Sequence, residues 1–313
     1  MKIYIAGHRG MAGSALVRAA VAHEGVELVL RPRSDLDLCD QRAVCGFLAE
    51  ERPDVVINAA ARVGGIGANS ALPARFLYEN LTIAANLVDA AHQAGVGRFL
   101  NLSSSCIYPR GASQPLRESA LLAGPLEPTN ESYSVAKIAG VKLCQYYRAQ
   151  YGVLFHSAVP ANLYGRGDNY HPDHSHVVAA LLRRFHEARE KGDSQVLIWG
   201  TGSVRREFLH VDDLARSCFH LLRCDNPPDW INVGWGRDVS ILELATMIAR
   251  VVGFSGEIVT DPTKPDGAPR KLLDVTGLKS LGWEPEISLQ QGLEDTYRWF
   301  LRETETGVLR ALN

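Results

Sequence analysis

The strongest constraint on the fold lies at the N-terminus. Lys2–Ala6 (KIYIA) is a short apolar run, and Gly7-His8-Arg9-Gly10-Met11-Ala12-Gly13 follows it directly. A strand that turns through three glycines into a helix aims backbone amides at an anion. The glycines permit the tight turn and a close approach of the backbone to a pyrophosphate. The spacing is GxxGxxG rather than GxGxxG, and a plain βα turn with glycines at positive φ would read alike. Its position directly after the first strand favours dinucleotide binding. Gly7, Arg9, Gly10, Met11 and Gly13 are the first cofactor candidates.

The strand–helix alternation continues. Apolar runs predict strands at Val26–Leu30, Asp54–Asn58, Arg98–Ser103 and Phe155–Val159. Helical periodicity predicts helices at Met11–His23, Gln41–Glu51, Phe76–Ala94 and Ser134–Tyr151. Short strands separated by helices imply a parallel sheet with right-handed crossovers, an α/β, Rossmann-like doubly wound fold. After Tyr164 the texture changes. Residues Gly165–His174 read as a polar loop, followed by a helix at Val177–Lys191. Strands at Val196–Trp199 and Glu207–His210 and a helix at Val211–Arg223 come next. The expected division is a cofactor-binding domain over 1–164, with segments near 205–225 returning to it. A smaller substrate-binding lobe takes most of 165–302, and 303–313 is a tail without signal. The cleft between lobes is the default small-molecule site.

Charge and cysteine content narrow the partners. The net charge of −2 with no long charged run argues against nucleic acid and anionic membranes. The N-terminal apolar run is too short for a signal peptide, and no stretch approaches a membrane span. Six cysteines show no CxxC pair, which fits reduced thiols in a cytoplasmic protein.

The residues after the second strand bear on the cofactor. An NAD site usually carries an acidic residue there, for the ribose 2′-OH. Here the strand runs into Arg31-Pro32-Arg33, and guanidinium groups suit a 2′-phosphate. NADP(H) is therefore favoured, although both could be solvated turn residues and Asp35 lies nearby. Asp37 and Leu38 resemble the segment that flanks the adenine.

Two further segments carry the chemistry. Leu102-Ser103-Ser104-Ser105-Cys106-Ile107-Tyr108-Pro109 closes the fourth strand, and Tyr133-Ser134-Val135-Ala136-Lys137 opens a helix. Tyr133 and Lys137, four apart, share a helix face. A nearby ammonium favours the ionised phenol, so Lys137 is expected to lower the Tyr133 pKa. Ser104 can hydrogen-bond the same substrate oxygen. A Tyr–Lys pair alone is common on amphipathic helices. The serine-bearing strand before it, Asn162 after the next strand, and the glycine turn raise it above chance. A Cys at a strand end is most often a small buried hydrophobe. His171, His174 and His176 cluster in the polar loop, and residue chemistry alone does not choose among them. They lack the Cys or carboxylate spacing of a zinc site, so no metal is expected.

Together these motifs resemble the extended short-chain dehydrogenase/reductases acting on nucleotide sugars, over nearly the whole chain to about Trp299. Four segments narrow the resemblance: Ser104–Pro109, Val63-Gly64-Gly65-Ile66, His174-Ser175-His176-Val177, and Arg205-Arg206-Glu207-Phe208-Leu209-His210-Val211-Asp212-Asp213. They are similar to the GDP-L-fucose synthases, the 3,5-epimerase-4-reductases of that superfamily. The resemblance implies that Ser104, Tyr133 and Lys137 reduce the C4 carbonyl of a GDP-sugar with NADPH. It implies Cys106 as the base and His176 as the acid for the two epimerisations, with His176 also near the cofactor. Pro160, Asn162 and Leu163 would lie along the nicotinamide. Arg184, Trp199, Arg206 and Lys271 would contact substrate, with surface ion pairing the plainer reading for the arginines. It also implies a homodimer through the helices Phe76–Ala94 and Ser134–Tyr151. The alternatives are a reductase or epimerase of another nucleotide-linked 4-keto sugar, or a non-catalytic NADP-binding regulator. The intact Ser104, Tyr133 and Lys137 set argues against the regulator, since a sensor needs no proton donor.

Overall fold

The structure, a computed structural model, describes residues 1–172, 174–264 and 266–311. In chain order the first strands are β1 (Lys2–Ala6), β2 (Glu27–Val29), β3 (Val55–Asn58), β4 (Arg98–Leu102) and β5 (Leu154–Pro160). The helices between them are α1 (Met11–Val21), α2 (Gln41–Glu51), α3 (Ile66–Ala71), α4 (Pro73–Gln93) and α5 (Glu131–Tyr151). Beyond lie β6 (Asn162–Tyr164), α6 (Val177–Lys191), β7 (Gln195–Trp199), β8 (Arg205–His210), α7 (Val211–Arg223) and β9 (Trp230–Val233). The chain continues through β10 (Asp238–Ser240), α8 (Ile241–Val252), β11 (Glu257–Asp261), β12 (Arg270–Lys271), α9 (Thr276–Ser280) and α10 (Leu289–Thr306).

Six strands form one sheet in the order β2-β1-β3-β4-β5-β9, every neighbouring pair parallel. Side chains alternate across it. Ile3 and Ile5 face the core shared by α1 and α7, with Leu16, Leu214 and Cys218. Tyr4 faces the other core, with Leu48, Leu87 and Phe99. With helices on both faces the central strands can be apolar almost throughout, as the sequence suggested. The strand order reverses between β1 and β3, and that switch point opens a crevice at the carboxyl ends of the strands.

A second core gathers Leu182 and Phe185 of α6, Leu244 and Ile248 of α8, and Leu293 and Phe300 of α10. It lies beside the smaller sheets, in which β8 joins β6, β10 and β12, and β7 pairs with β11. The boundaries expected from sequence shift by up to three residues, the largest being the earlier starts of α4 and α5. Among the elements without an expectation from sequence, α3 precedes the long helix, and β6 pairs in parallel with β8 just after β5.

A buried polar ladder crosses the centre of the large sheet. Asn58, Asn101 and Ser157 lie in register on β3, β4 and β5. Asn58 Nδ2 donates to Asn101 Oδ1 at 3.0 Å, and Asn101 Nδ2 donates to Ser157 Oγ at 3.4 Å. Gly140 of α5 leaves room for it, since a Cβ there would stand 3.2 Å from Asn101 Nδ2. Among the described residues no helix is long and apolar enough to cross a membrane.

Candidate active site

The glycine turn fits a dinucleotide pyrophosphate. Gly7 adopts φ +78°, and a Cβ on it would lie 2.7 Å from the Ala60 backbone. A Cβ on Gly13 would sit 2.1 Å from Gly7 O, so α1 can approach β1 this closely only with glycine there. Gly10 N donates to Gly7 O at 2.9 Å. Gly10 caps α1 without a side-chain hydrogen bond, which leaves the first helical amides and the positive end of the dipole for an anion.

The arginines after β2 diverge. Arg31 turns onto α2, donating to Glu51 at 2.7 Å and lying 5.4 Å from the centre of the Phe47 ring. Arg31, a cofactor candidate from the sequence, is thus paired with Glu51 in this structure. Arg33 is exposed, with Nη1 4.0 Å from Glu79, and Arg9 is exposed in the glycine turn. Leu38 O accepts from Asn86 Nδ2 at 2.9 Å, and Asp37 Oδ1 from Cys39 N at 3.0 Å, which fixes the backbone of that segment.

The end of β4 curls into a single 3₁₀ turn, Ser105–Ile107, which Ser104 caps by accepting from Cys106 N at 3.4 Å. Serine thereby sets the thiol's backbone, and both side chains leave one turn. The turn is anchored by Tyr108, whose buried hydroxyl donates to Asn232 Oδ1 at 2.5 Å. Asn232 on β9 donates in turn to Leu116 O and Asp274 O, at 2.9 and 3.1 Å. Sequence reasoning missed Asn232. The available signal was a lone amide inside the apolar strand WINV, where a buried polar group needs partners.

Tyr133 and Lys137 stand one turn apart on α5, with the Lys137 ammonium 5.7 Å from the centre of the Tyr133 ring. The ammonium is buried and donates to Leu102 O at 2.8 Å, which ties α5 to the strand bearing the serine. Phe76 of α4 meets the Tyr133 ring edge-on at 6.5 Å. Burial lowers Lys137 to about 8, and the Cys106 thiol opposes that shift. Tyr133 departs from the sequence expectation. Burial, and after it the Cys106 thiol, hold its phenol above the ordinary range. The Lys137 ammonium is committed to the Leu102 carbonyl, so it does not overcome desolvation.

Lys271 joins this group. β12 pairs with β8 so that Lys271 stands opposite Arg206. Burial lowers the Lys271 ammonium, and the first group opposing that shift is Cys106. Arg206 donates to Ala268 O at 2.6 Å, and its charge too is disfavoured by burial. Arg184 donates to Leu197 O at 2.7 Å and lines, with Glu187 and Trp199, a cavity of about 300 Å³. Trp199 is 65% exposed, with the Lys264 ammonium 5.7 Å from its ring.

His176 enters from the loop before α6. It caps that helix through its backbone, its ring exposed. A Cβ on Gly65 would lie 3.8 Å from Ser175 O, so the Val63–Gly65 segment meets the histidine loop. Pro160 is buried at the end of β5, and Leu163 packs at the edge of the first core. The Asn162 amide donates to Glu207 O at 2.8 Å and bridges β6 to β8. Cys106, Tyr133, Lys137 and Lys271 thus converge, with Ser104 capping the turn that carries the thiol, whereas Arg184 and Trp199 line the cavity beside α6. A hydroxyl, a phenol held protonated and a thiol grouped in this way suit proton transfer at and beside a carbonyl.

Comparison with known proteins gives the same direction. Residues 3–234 match the NAD dependent epimerase/dehydratase family. The chain is 54% identical over 314 residues to a GDP-L-fucose synthase of Escherichia coli (strain K12), covering 97% of this chain and 98% of that protein. It is 52% identical to GDP-L-fucose synthase 1 of Arabidopsis thaliana, covering 96% and 93%. A GDP-L-fucose synthetase of Naegleria fowleri solved with NADP bound superposes with TM-score 0.89 at 25% identity, covering 97% and 95%.

Proposed function

The chain belongs to the NAD dependent epimerase/dehydratase family, and from that membership and the site geometry we propose that it converts GDP-4-keto-6-deoxy-D-mannose to GDP-L-fucose. The reaction inverts C3 and C5 and reduces C4, using NADPH. The observation that carries this reading is the shared 3₁₀ turn, which presents Ser104 and Cys106 together beside Tyr133 and Lys137.

NADPH, when bound, supplies the hydride that reduces C4. The glycine turn would hold it, with Arg9 and Arg33 available to the 2′-phosphate and Pro160, Asn162 and Leu163 to the nicotinamide. Ser104 hydrogen-bonds the C4 oxygen. Tyr133, kept protonated by burial, gives that oxygen its proton, and Lys137 orients the phenol and the ribose. The protons at C3 and C5 are α to the same ketone. Cys106 removes one, the electron pair moves onto the C4 oxygen, and Ser104 and Tyr133 stabilise the resulting enolate. His176 returns a proton to the same carbon from the other face, and the centre inverts. Arg206 and Lys271 hold the diphosphate, while Arg184 and Trp199 hold the rest of the nucleotide sugar.

In this reading residues 1–164, with the 205–225 segment, make the cofactor lobe, and most of 165–302 makes the substrate lobe. The chain acts in the cytoplasm as a homodimer. Supporting that interface, α4 and α5 pack together and present exposed Tyr78, Leu81, Val135 and Tyr146. The deciding experiment incubates the protein with GDP-4-keto-6-deoxymannose and NADPH. Loss of NADPH absorbance with GDP-L-fucose as product is expected. A 4-reduced product with unchanged C3 and C5 would reduce the reading to a simple ketoreductase.

A further inference from the structure

The C-terminal tail reaches back to the histidine loop. Arg310 donates from Nη1 to Gly167 O at 2.7 Å, and its own carbonyl accepts from Tyr170 N at 2.8 Å. These two bonds clasp the loop on either side of Asp168. That carboxylate is 3% exposed; Oδ1 accepts from Asn169 N at 2.7 Å, and Oδ2 has no hydrogen-bond partner. The charges acting on it are His176 and Arg310. A buried carboxylate oxygen without a hydrogen-bond partner is unusual and calls for a reason. Here that oxygen belongs to the loop that ends at His176.

The loop is braced elsewhere too. Gly167 adopts φ +81°, and a Cβ on it would lie 3.6 Å from Met11 Cα and 3.4 Å from Ser14 Oγ, at the start of α1. Arg183 of α6 donates to Tyr170 O at 2.7 Å, and the Tyr170 ring packs 4.8 Å from Phe300 of α10. The tail clasp thus closes a frame that already involves the cofactor turn, α6 and α10.

We propose that Asp168 and Arg310 are positioning residues for His176. The tail arginine fixes the height of the loop, and the buried carboxylate balances the charge of the imidazole when it is protonated. Burial raises the Asp168 pKa to about 6 while His176 and Arg310 pull it down, as expected of a carboxylate set against cations. The inference rests on the epimerisation role of His176 given above.

The test separates inversion from hydride transfer. Inversion is read as solvent deuterium uptake at C3 and C5 of GDP-4-keto-6-deoxymannose. Hydride transfer is read as oxidation of GDP-L-fucose at saturating NADP+, which needs no inversion. Asp168→Asn and Arg310→Ala should each slow deuterium uptake at least ~10-fold, a part of the ~10²–10⁴-fold that a positioned acid or base contributes. Oxidation of GDP-L-fucose should stay within about threefold, since Tyr133 and Lys137 are untouched. Arg310→Lys, which keeps the cation, should recover most of the uptake. Equal loss in both assays, or uptake unchanged in both variants, would overturn the proposal. His176→Gln is the control. If it leaves uptake intact, the assignment of His176 itself fails. If it stops uptake while Asp168→Asn and Arg310→Ala do not, only the positioning role fails.

Discussion

The two halves of the site are held by different kinds of structure. Ser104, Tyr133 and Lys137 stand on a strand end and a helix; β4 is flanked by β3 and β5, α5 packs on α4, and Lys137 bonds the strand directly. His176 ends a loop with glycines at φ +140° and +81°, fixed by contacts from α1, α6, α10 and the tail. A ladder-borne group is positioned by bonds that also build the fold, so displacing it costs folding free energy. A loop-borne group is positioned by a few long-range contacts, each of which can change while the sheet stays intact. In the proposed mechanism, hydride transfer belongs to the rigid half and stereochemical inversion to the adjustable one.

The largest expected effect probes the rigid half. Tyr133→Phe removes the proton donor to the C4 oxygen and should lower NADPH oxidation by ~10²–10⁴-fold with NADPH binding retained. Wild-type turnover in this variant would remove Tyr133 from the chemistry. Cys106→Ser should slow deuterium uptake at C3 and C5 by about 10²-fold and leave GDP-L-fucose oxidation largely intact. If both assays fell together, the two halves would be one unit and the comparison would break. Arg33→Ala should weaken NADPH by about tenfold more than NADH, the worth of one charge-assisted contact to the 2′-phosphate. An equal loss for the two cofactors would place Arg33 outside the phosphate site.

The smallest effect sharpens the contrast through stability. Burial pushes the His156 imidazole on β5 down to about 3. Its folded pKa lies below the unfolded value, so the unfolded state binds more protons between about pH 3 and 6.5. Stability must fall as pH drops through 6.5, by about 2 kcal/mol at pH 5 from this group. Asp168 in the loop has the opposite sign. Its folded pKa is raised, so its stabilising contribution is present at low pH and lost as pH rises toward about 6. Denaturant unfolding at pH 5 and 7 should show a smaller acid loss in His156→Gln than in wild type, and an unchanged loss would show that His156 is not held neutral.

Most of the sheet side could be read in the chain. Continuous apolar runs predicted β1 and β3–β5, and period-3.6 patterns their helices, because burial on both faces leaves near-continuous apolar strands. The glycine turn was legible because its spacing follows from steric contacts that only glycine meets. The fate of Arg31 was not, since pairing with Glu51 depends on how α2 packs. Nor was the raised Tyr133 pKa, because spacing reports the neighbouring lysine but not the water lost around the phenol. Asn232, Asp168 and Arg310 escaped notice for a common reason. Each acts through a partner more than a hundred residues away or through a bond to backbone, and neither leaves a local pattern.

The amide ladder across β3, β4 and β5 has a consequence for how the chain folds. Asn101 lies three positions before Ser104, and its side chain matches only Asn58 and Ser157 in one alignment of the strands. Sliding β4 by one residue would leave buried polar groups unmatched, at about 1–3 kcal/mol for each. The sheet therefore proofreads itself during assembly. A molecule that passes this check has the Ser104 end of β4 at the correct height before any substrate arrives, and misaligned copies are selected against by their own interior.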